Sequence, residues 1–305
     1  MNVLVTGGTG FVGHAVLAKL RAAGHAVRVL VRHPASSRAT ALASRFGVEL
    51  ANGNVLDSNS VHKALPGCEA VIHLVGIISE VGPNTFHKAH TAATQNVVRA
   101  AEQAGVSRYV HMSALGTRPD SASRYHQTKW AAEQAVRGSR LAWTIFRPSL
   151  IYGVGDHFVN LFANLARWSP FLPVMGSGQG KLQPVSVEVV AEAFVGALSE
   201  PRAIGQTYDL CGPDRLSFLE VLDAILSVVG RRRFKLHLPL PLARVQAAAL
   251  EFVFPRLLGR AAPLNRDQLI MLAEDNVGDP RPANELFGLS VESFRTGIER
   301  QLRRA

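Results

Sequence analysis

Val3-Leu4-Val5-Thr6-Gly7-Gly8-Thr9-Gly10-Phe11-Val12-Gly13 is the stretch whose reading decides the fold. An apolar run ends at Thr6, glycines follow at 7, 10 and 13, and a helical pattern opens at Val12. A strand that turns through glycines into a helix aims free backbone N–H groups, and the positive end of the helix dipole, at one point. That point suits a pyrophosphate. In such a loop Gly7 permits the tight turn, Gly10 lets the backbone approach the phosphates, and Gly13 lets the helix pack close to the sheet, with Thr9, Phe11 and Val12 completing the cradle. A glycine triplet by itself says little. Directly after the first strand of a strand–helix series it reads as a dinucleotide loop.

Outward from the loop, short apolar runs at residues 26–31, 48–51, 70–75, 108–112 and 141–146 alternate with helical patterns at 12–23, 37–46, 60–65, 86–104 and 127–136. Gly24, Gly47, Gly105 and Gly138 punctuate the helix ends. Strands so apolar fit burial on both faces. The alternation predicts an α/β fold: a doubly wound parallel sheet, the Rossmann arrangement, over residues 1–150. After Pro148 the pattern loosens through Pro170, Pro173, Gly176, Gly178 and Gly180. Helices are predicted at 187–199 and 218–229 and a strand near 207–210. Residues 151–305 therefore read as a smaller C-terminal lobe for substrate or partner, with some return to the sheet.

The composition, 47% hydrophobic and 18% charged in 305 residues, supports a sizeable core and excludes wholesale disorder. Cys68 and Cys211 have no metal-type spacing, and His87 and His90, three apart, lack a third ligand, so no metal site is expected. The strand at Val3–Val5 argues against a cleaved leader. The expected setting is a reducing cytoplasm, with a peripheral place at the inner membrane as the second reading. A net charge of +10, with one cluster at Arg231-Arg232-Arg233 and Lys235, favours anionic ligands. No nucleic-acid motif accompanies it, so nucleic acid is not expected as a partner. The apolar, proline-broken stretch 238–258 reads as lobe core or dimer face ahead of a membrane contact.

At the adenosine end, the second strand runs into Arg32 and His33, with no carboxylate before Glu49. An arginine there accommodates a 2′-phosphate that a carboxylate would repel, with Arg38 near enough to join it. The pattern therefore favours NADP(H) over NAD(H). After the third strand come Gly53, Asn54 and Val55. Asn54 is placed for the adenine amino group, and Asp57 for capping the next helix. Tyr125 and Lys129 are four apart on a predicted helix and share a face. A neighbouring ammonium lowers a phenol's pKa, so Tyr125 can exchange a proton with a carbonyl or alcohol, and Lys129 can also hold ribose hydroxyls. The candidate third member is Ser113, as a polarising hydroxyl after the fifth strand.

These residues resemble the short-chain dehydrogenase/reductase superfamily, in its extended or atypical branch, over roughly residues 1–200. Further carriers are His73-Leu74-Val75-Gly76, the run from Arg147 through Pro148, Ser149 and Ile151 to Gly153, and the run from Gln183 to Val187. Within that branch the chain is similar to the nucleotide-binding accessory subunit of respiratory complex I, through His90-x-x-x-Thr94-x-Asn96, Ser113-Ala114-Leu115-Gly116 and Leu264-Asn265-Arg266-Asp267-Gln268. The resemblance implies a C-terminal lobe that closes over the nicotinamide, and cofactor contacts at Leu74, Val75, Gly76, Pro148, Ser149 and Ile151. One departure stands out. If Ser113 aligns with the serine that precedes the family's catalytic hydroxyl, that position is Ala114 here. A register shifted by one restores Ser113. Two functions stay open: an oxidoreductase or epimerase-type enzyme acting on an unknown carbonyl or alcohol, and a weak or inactive cofactor-loaded subunit of a respiratory or quinone-biosynthesis complex.

Overall fold

A computed structural model describes residues 1–303. Six strands of the first half, β1 (Asn2–Thr6), β2 (Ala26–Val31), β3 (Glu49–Asn52), β4 (Ala70–His73), β5 (Arg108–Met112) and β6 (Ala142–Pro148), form a parallel sheet in the order β6-β5-β4-β1-β2-β3. A seventh strand, Gln206–Leu210, pairs in parallel with β6 at the edge. Between them run α1 (Phe11–Ala22), α2 (Ser37–Phe46), α3 (Ser58–Ala64), α4 (Ala93–Gln103) and α5 (Arg124–Arg137). Side chains alternate across the sheet, as strand geometry requires. Val3, Val5, Val29 and Ile72 pack in one core with Val16, Leu17 and Leu20 of α1. Leu4, Val71, Tyr109 and Ile145 pack in another with Val97 and Ala101 of α4. The strand order reverses direction beside β1, so a crevice opens at the carboxyl ends of β1 and β4, where ligands of such sheets sit.

The second half divides. Helix α7 (Val187–Gly196) and the strand Gln206–Leu210 return to the sheet, with the Phe194 ring tilted against Phe146, centroids 4.9 Å apart. Helix α11 (Arg281–Phe287) also returns, with Ala283 and Phe287 in the sheet core, and the rest forms the lobe: α6 (Phe158–Trp168), a parallel ribbon of Phe171–Met175 with Phe234–Leu238, α8 (Phe218–Val229), α9 (Leu240–Val253) running into a π-helical turn (Phe254–Leu258), α10 (Arg266–Ala273) and α12 (Phe294–Arg303). Its core joins Val159 and Phe162 of α6, Leu172 and Val174 of the ribbon, Val221 and Leu222 of α8, and Phe294 and Ile298 of α12.

Two expectations hold in part. Residues 86–104 do not form one regular helix: a π-helical turn, His87–Ala92, precedes α4. Residues 238–258, expected as lobe core or dimer face, are lobe core on one face only. Helix α9 turns Ala243 and Ala247 inward, fully buried beside Leu269, and leaves Leu242, Val245 and Phe252 in solvent. The small side chains let the helix approach its neighbours closely and strand the large ones outside.

Candidate functional site at the carboxyl ends of the strands

The loop after β1 is built from backbone. Gly7 has φ +79°, and a Cβ there would lie 3.0–3.2 Å from the main chain of Leu74 and Val75. The loop thus touches the chain leaving β4 directly. Gly10 is the N-cap of α1 and supplies no side-chain cap, so the first-turn N–H groups are left for a ligand. A Cβ on Gly10 would meet only the Gly7 carbonyl, at 3.2 Å. The space in front of it is open, which fits a pyrophosphate. Gly13 differs from its expected role. A Cβ there would fall 2.5 Å from the Gly8 carbonyl oxygen, so Gly13 is needed by the loop itself rather than by packing on the sheet. The Thr9 carbonyl accepts a hydrogen bond from Arg38 (2.7 Å), Val12 is buried, and the Phe11 ring reaches to Gly153.

At the ends of β2 and β3 lies a cavity of about 600 Å³ lined by Arg32, His33, Asn52, Asn54, Asp57 and Lys63, among others. Arg32 is exposed there and makes no ion pair among the described residues. Asp57 caps α3 through the Asn59 N–H. Asn54 has a local duty: its Oδ1 accepts from the Leu56 N–H at 3.0 Å, so part of its capacity for adenine is already used in the turn. The Val55 carbonyl accepts from Asn96.

Around the nicotinamide end, Lys129 is buried and its Nζ donates to the Met112 carbonyl (2.9 Å). A Cβ on Gly76 would lie 3.1 Å from that Nζ. Burial lowers the ammonium pKa to about 8, opposed by Glu133 one turn on. Glu133 is itself held by the Arg147 guanidinium through two hydrogen bonds of 2.8 and 2.6 Å, which locks α5 against β6. Tyr125 departs from expectation. Burial first, and the Asp267 carboxylate second, push its phenol up to about 12 rather than down. Among the described residues no hydrogen bond joins its hydroxyl to Lys129 or Ser113. Its ring sits edge-on to Phe86, His90 and His126 instead. Ser113 is buried, and its hydroxyl reaches only Thr117, at 3.4 Å.

His90, a family-resemblance residue with no assigned role, holds the loop after β4. Its Nδ1 meets Thr128 at 2.9 Å, and the Ile77 N–H donates to Nε2 at 3.1 Å. Nε2 also lies 3.0 Å from the Ile77 carbonyl, and burial lowers the pKa to about 2, so the ring is neutral.

The lobe completes the site through Asn276, which the sequence did not point to, and through Asn265 and Asp267, which the resemblance named without a role. Ser149 donates to Asn276 Oδ1 (2.6 Å), and Asn276 Nδ2 donates to the Leu115 carbonyl (3.1 Å). Pro148 accepts from the Leu115 N–H, and Ile151 pairs with Val185 in a short parallel ladder. The Asp267 carboxylate accepts from Ser123 Oγ, Arg124 N and Tyr125 N at 2.7, 2.8 and 3.1 Å, capping the helix that carries Tyr125. Asn265 donates to the Ile78 carbonyl and to Ser79 Oγ. Adjoining this clamp is a second cavity, of about 540 Å³, whose walls include Glu80, Phe86, Arg124, Arg244, Glu251 and Asp267.

A family described as NAD(P)H-binding matches residues 7–157. The chain belongs to the NAD(P)H-binding short-chain dehydrogenase/reductase family, in its atypical branch. It is 31% identical over 280 residues to the mitochondrial NADH dehydrogenase (ubiquinone) 1 alpha subcomplex subunit 9 of Arabidopsis thaliana, covering 90% of this chain and 70% of that protein. It spans 49% of the mouse protein of the same name, about half its length. It is 30% identical over 244 residues to a ceramide reductase of Caulobacter vibrioides, covering 78% of this chain and 74% of that one. In fold it superposes on a UDP-glucose 4-epimerase from Thermotoga maritima with a TM-score of 0.77 and 17% identity, over 99% and 98% of the two chains.

Proposed function

We propose that the protein is an NADP(H)-dependent reductase of a carbonyl compound, with Tyr125 as proton donor. The observation that carries this reading is Lys129. A buried ammonium whose one hydrogen bond is to a carbonyl costs stability, and such groups concentrate where chemistry needs them. Its remaining donors, beside Gly76, suit the ribose hydroxyls of a bound dinucleotide. When bound, the reduced nicotinamide supplies hydride. Gly7, Gly10 and the first turn of α1 would hold the pyrophosphate, and Arg32 with Lys63 would favour a 2′-phosphate. Tyr125 stays protonated throughout the physiological range, so it acts as an acid: its O–H proton passes to the carbonyl oxygen as the alcohol forms, and solvent restores it. Arg244, which has no ion pair among the described residues, places a free cation in the second cavity for a polar or anionic part of the substrate.

A second reading is a cofactor-loaded subunit of a respiratory or quinone-biosynthesis complex, cytoplasmic and peripheral to the inner membrane. It is favoured by the phenol that no hydrogen bond ties to Lys129 and by the similarity to complex I subunits. Fluorescence titration with NADPH and NADH, followed by turnover against a panel of carbonyl compounds, tests both. Tight NADPH binding with turnover that Tyr125→Phe removes supports the reductase. Tight binding with no turnover across the panel transfers the case to the second reading, and absence of binding overturns both.

A further inference from the structure

We infer that the C-terminal lobe docks on an anionic lipid surface through the end of α6, the outer face of the ribbon and the outer stripe of α9. The inference stands apart from the activity, because a protein without turnover would bind equally.

The ribbon shows the first half of the surface. Its inward residues, Leu172 and Val174, are fully buried in the lobe core. Its outward residues are apolar too: Phe171 and Phe234 are register partners with rings 6.1 Å apart, Leu236 follows two residues on, and all three are exposed. Trp168, at the end of α6, is 88% exposed. The basic cluster is anchored at the same place, since Arg233 Nε donates to the Ala166 carbonyl and the Phe234 N–H to the Pro170 carbonyl.

Helix α9 shows the other half. Ala243 and Ala247 face the core, while Arg244 and Glu251 face the second cavity. The remaining stripe, Leu242, Val245, Ala249 and Phe252, is exposed at helical spacing and continues into Leu257 and Leu258. The Arg256 guanidinium sits 3.9 Å over the Phe252 ring.

Charge selects the occupant. Of the seven arginines and lysines in residues 231–260, Lys235 is paired with Asp223 and Arg244 turns to the second cavity, which leaves Arg231, Arg232, Arg233, Arg256 and Arg260 for this face. A second copy seated on this face would set like charges against each other. An anionic bilayer offers phosphates to the arginines and an apolar boundary to the tryptophan and phenylalanines, the side chains that favour that depth. No helix among the described residues is long and apolar enough to cross a membrane, so the contact is peripheral.

The test is co-sedimentation of the intact protein with vesicles of phosphatidylcholine, alone or with about 30% phosphatidylglycerol. Binding is expected to the mixed vesicles only, to weaken in about 0.5 M salt, and to fall roughly 25-fold in Arg231→Gln/Arg232→Gln, at about five-fold per cation. Trp168→Ser should weaken it as well, and a blue shift of tryptophan emission on vesicle addition should vanish in Trp168→Phe. Unchanged NADPH binding shows that each variant is folded. Equal binding to both vesicle types, binding that ignores these substitutions, or a solution dimer that Trp168→Ser dissociates would each overturn the inference, the last by assigning the face to a second copy.

Discussion

The two halves of the molecule treat large apolar side chains in opposite ways. In the first, the valines, leucines and isoleucines of β1, β2 and β4 are nearly all buried, and few large apolar side chains, Leu56 and Ile78 among them, reach solvent. In the second, Trp168, Phe171, Phe234, Val245, Phe252 and Leu257 all stand exposed. The first half spends its apolar surface on closing a sheet, and its function sits in a glycine loop and a few polar groups at the strand ends. The second half spends part of that surface on a core and leaves the rest for contact, while a few residues reach back to complete the first half's site.

The largest effect that sharpens the comparison separates two glycines of one motif. Gly10→Val should cut dinucleotide affinity by about 100-fold or more, because the new methyls fill the pyrophosphate's space, and circular dichroism should stay native. Gly13→Val should cost stability first, on the order of 3 kcal/mol, because its Cβ meets a carbonyl oxygen at 2.5 Å. A Gly13→Val protein with unchanged melting temperature would show that the loop backbone is not arranged as described.

Next comes the proton donor. Tyr125→Phe should lower turnover by about 10²–10⁴ and leave cofactor affinity within about two-fold. Lys129 makes the opposite trade. Its folded pKa is lowered to about 8 from 10.5. Below about pH 8 both folded and unfolded chains carry the proton, and the burial cost is fully present. Between 8 and 10.5 the unfolded chain holds more protons, so this group's contribution to stability improves as pH rises. Lys129→Met should therefore melt higher at pH 7 while binding dinucleotide more weakly. The wild type's affinity should fall as pH passes 8, a step that the variant lacks.

The same contrast decides how much was legible in the sequence. In the first half, strands buried on both faces read as apolar runs, and glycine both ended helices and marked the loop, so the fold and the positions of Gly10, Arg32 and Lys129 followed from local pattern. Helix α6 and the ribbon were hidden because Pro170 and Pro173 signal a loop, and a two-stranded ribbon tolerates proline where a central strand does not. Helix α9 was harder to read because Ala243 and Ala247 are inside while Leu242, Val245 and Phe252 are outside. The clamp was out of reach for another reason: Asp267 lies 142 residues from Tyr125, and no spacing rule spans that distance.

A smaller effect tests the cofactor end. Arg32→Ala should weaken NADPH about ten-fold, the worth of one charge-assisted contact, and leave NADH unchanged. Equal loss for both would mean that Arg32 shapes the cavity in general rather than reading a phosphate.

The smallest effect probes the joint between the halves. Asp267 reaches from α10 to cap α5 with three hydrogen bonds, and its charge lies at the helix's positive end. Asp267→Asn keeps the shape and removes the charge, so it should cost about 1 kcal/mol of stability at pH 7. The same charge adds to burial in holding the Tyr125 phenol up. Its removal should therefore let Tyr125 titrate at lower pH and shift downward the upper alkaline limb of the rate at saturating cofactor, above the step that Lys129 sets, with cofactor affinity unmoved. A purely structural cap would change the melting temperature and leave that limb in place. A shifted limb shows that the lobe tunes the proton donor as well as holding its helix.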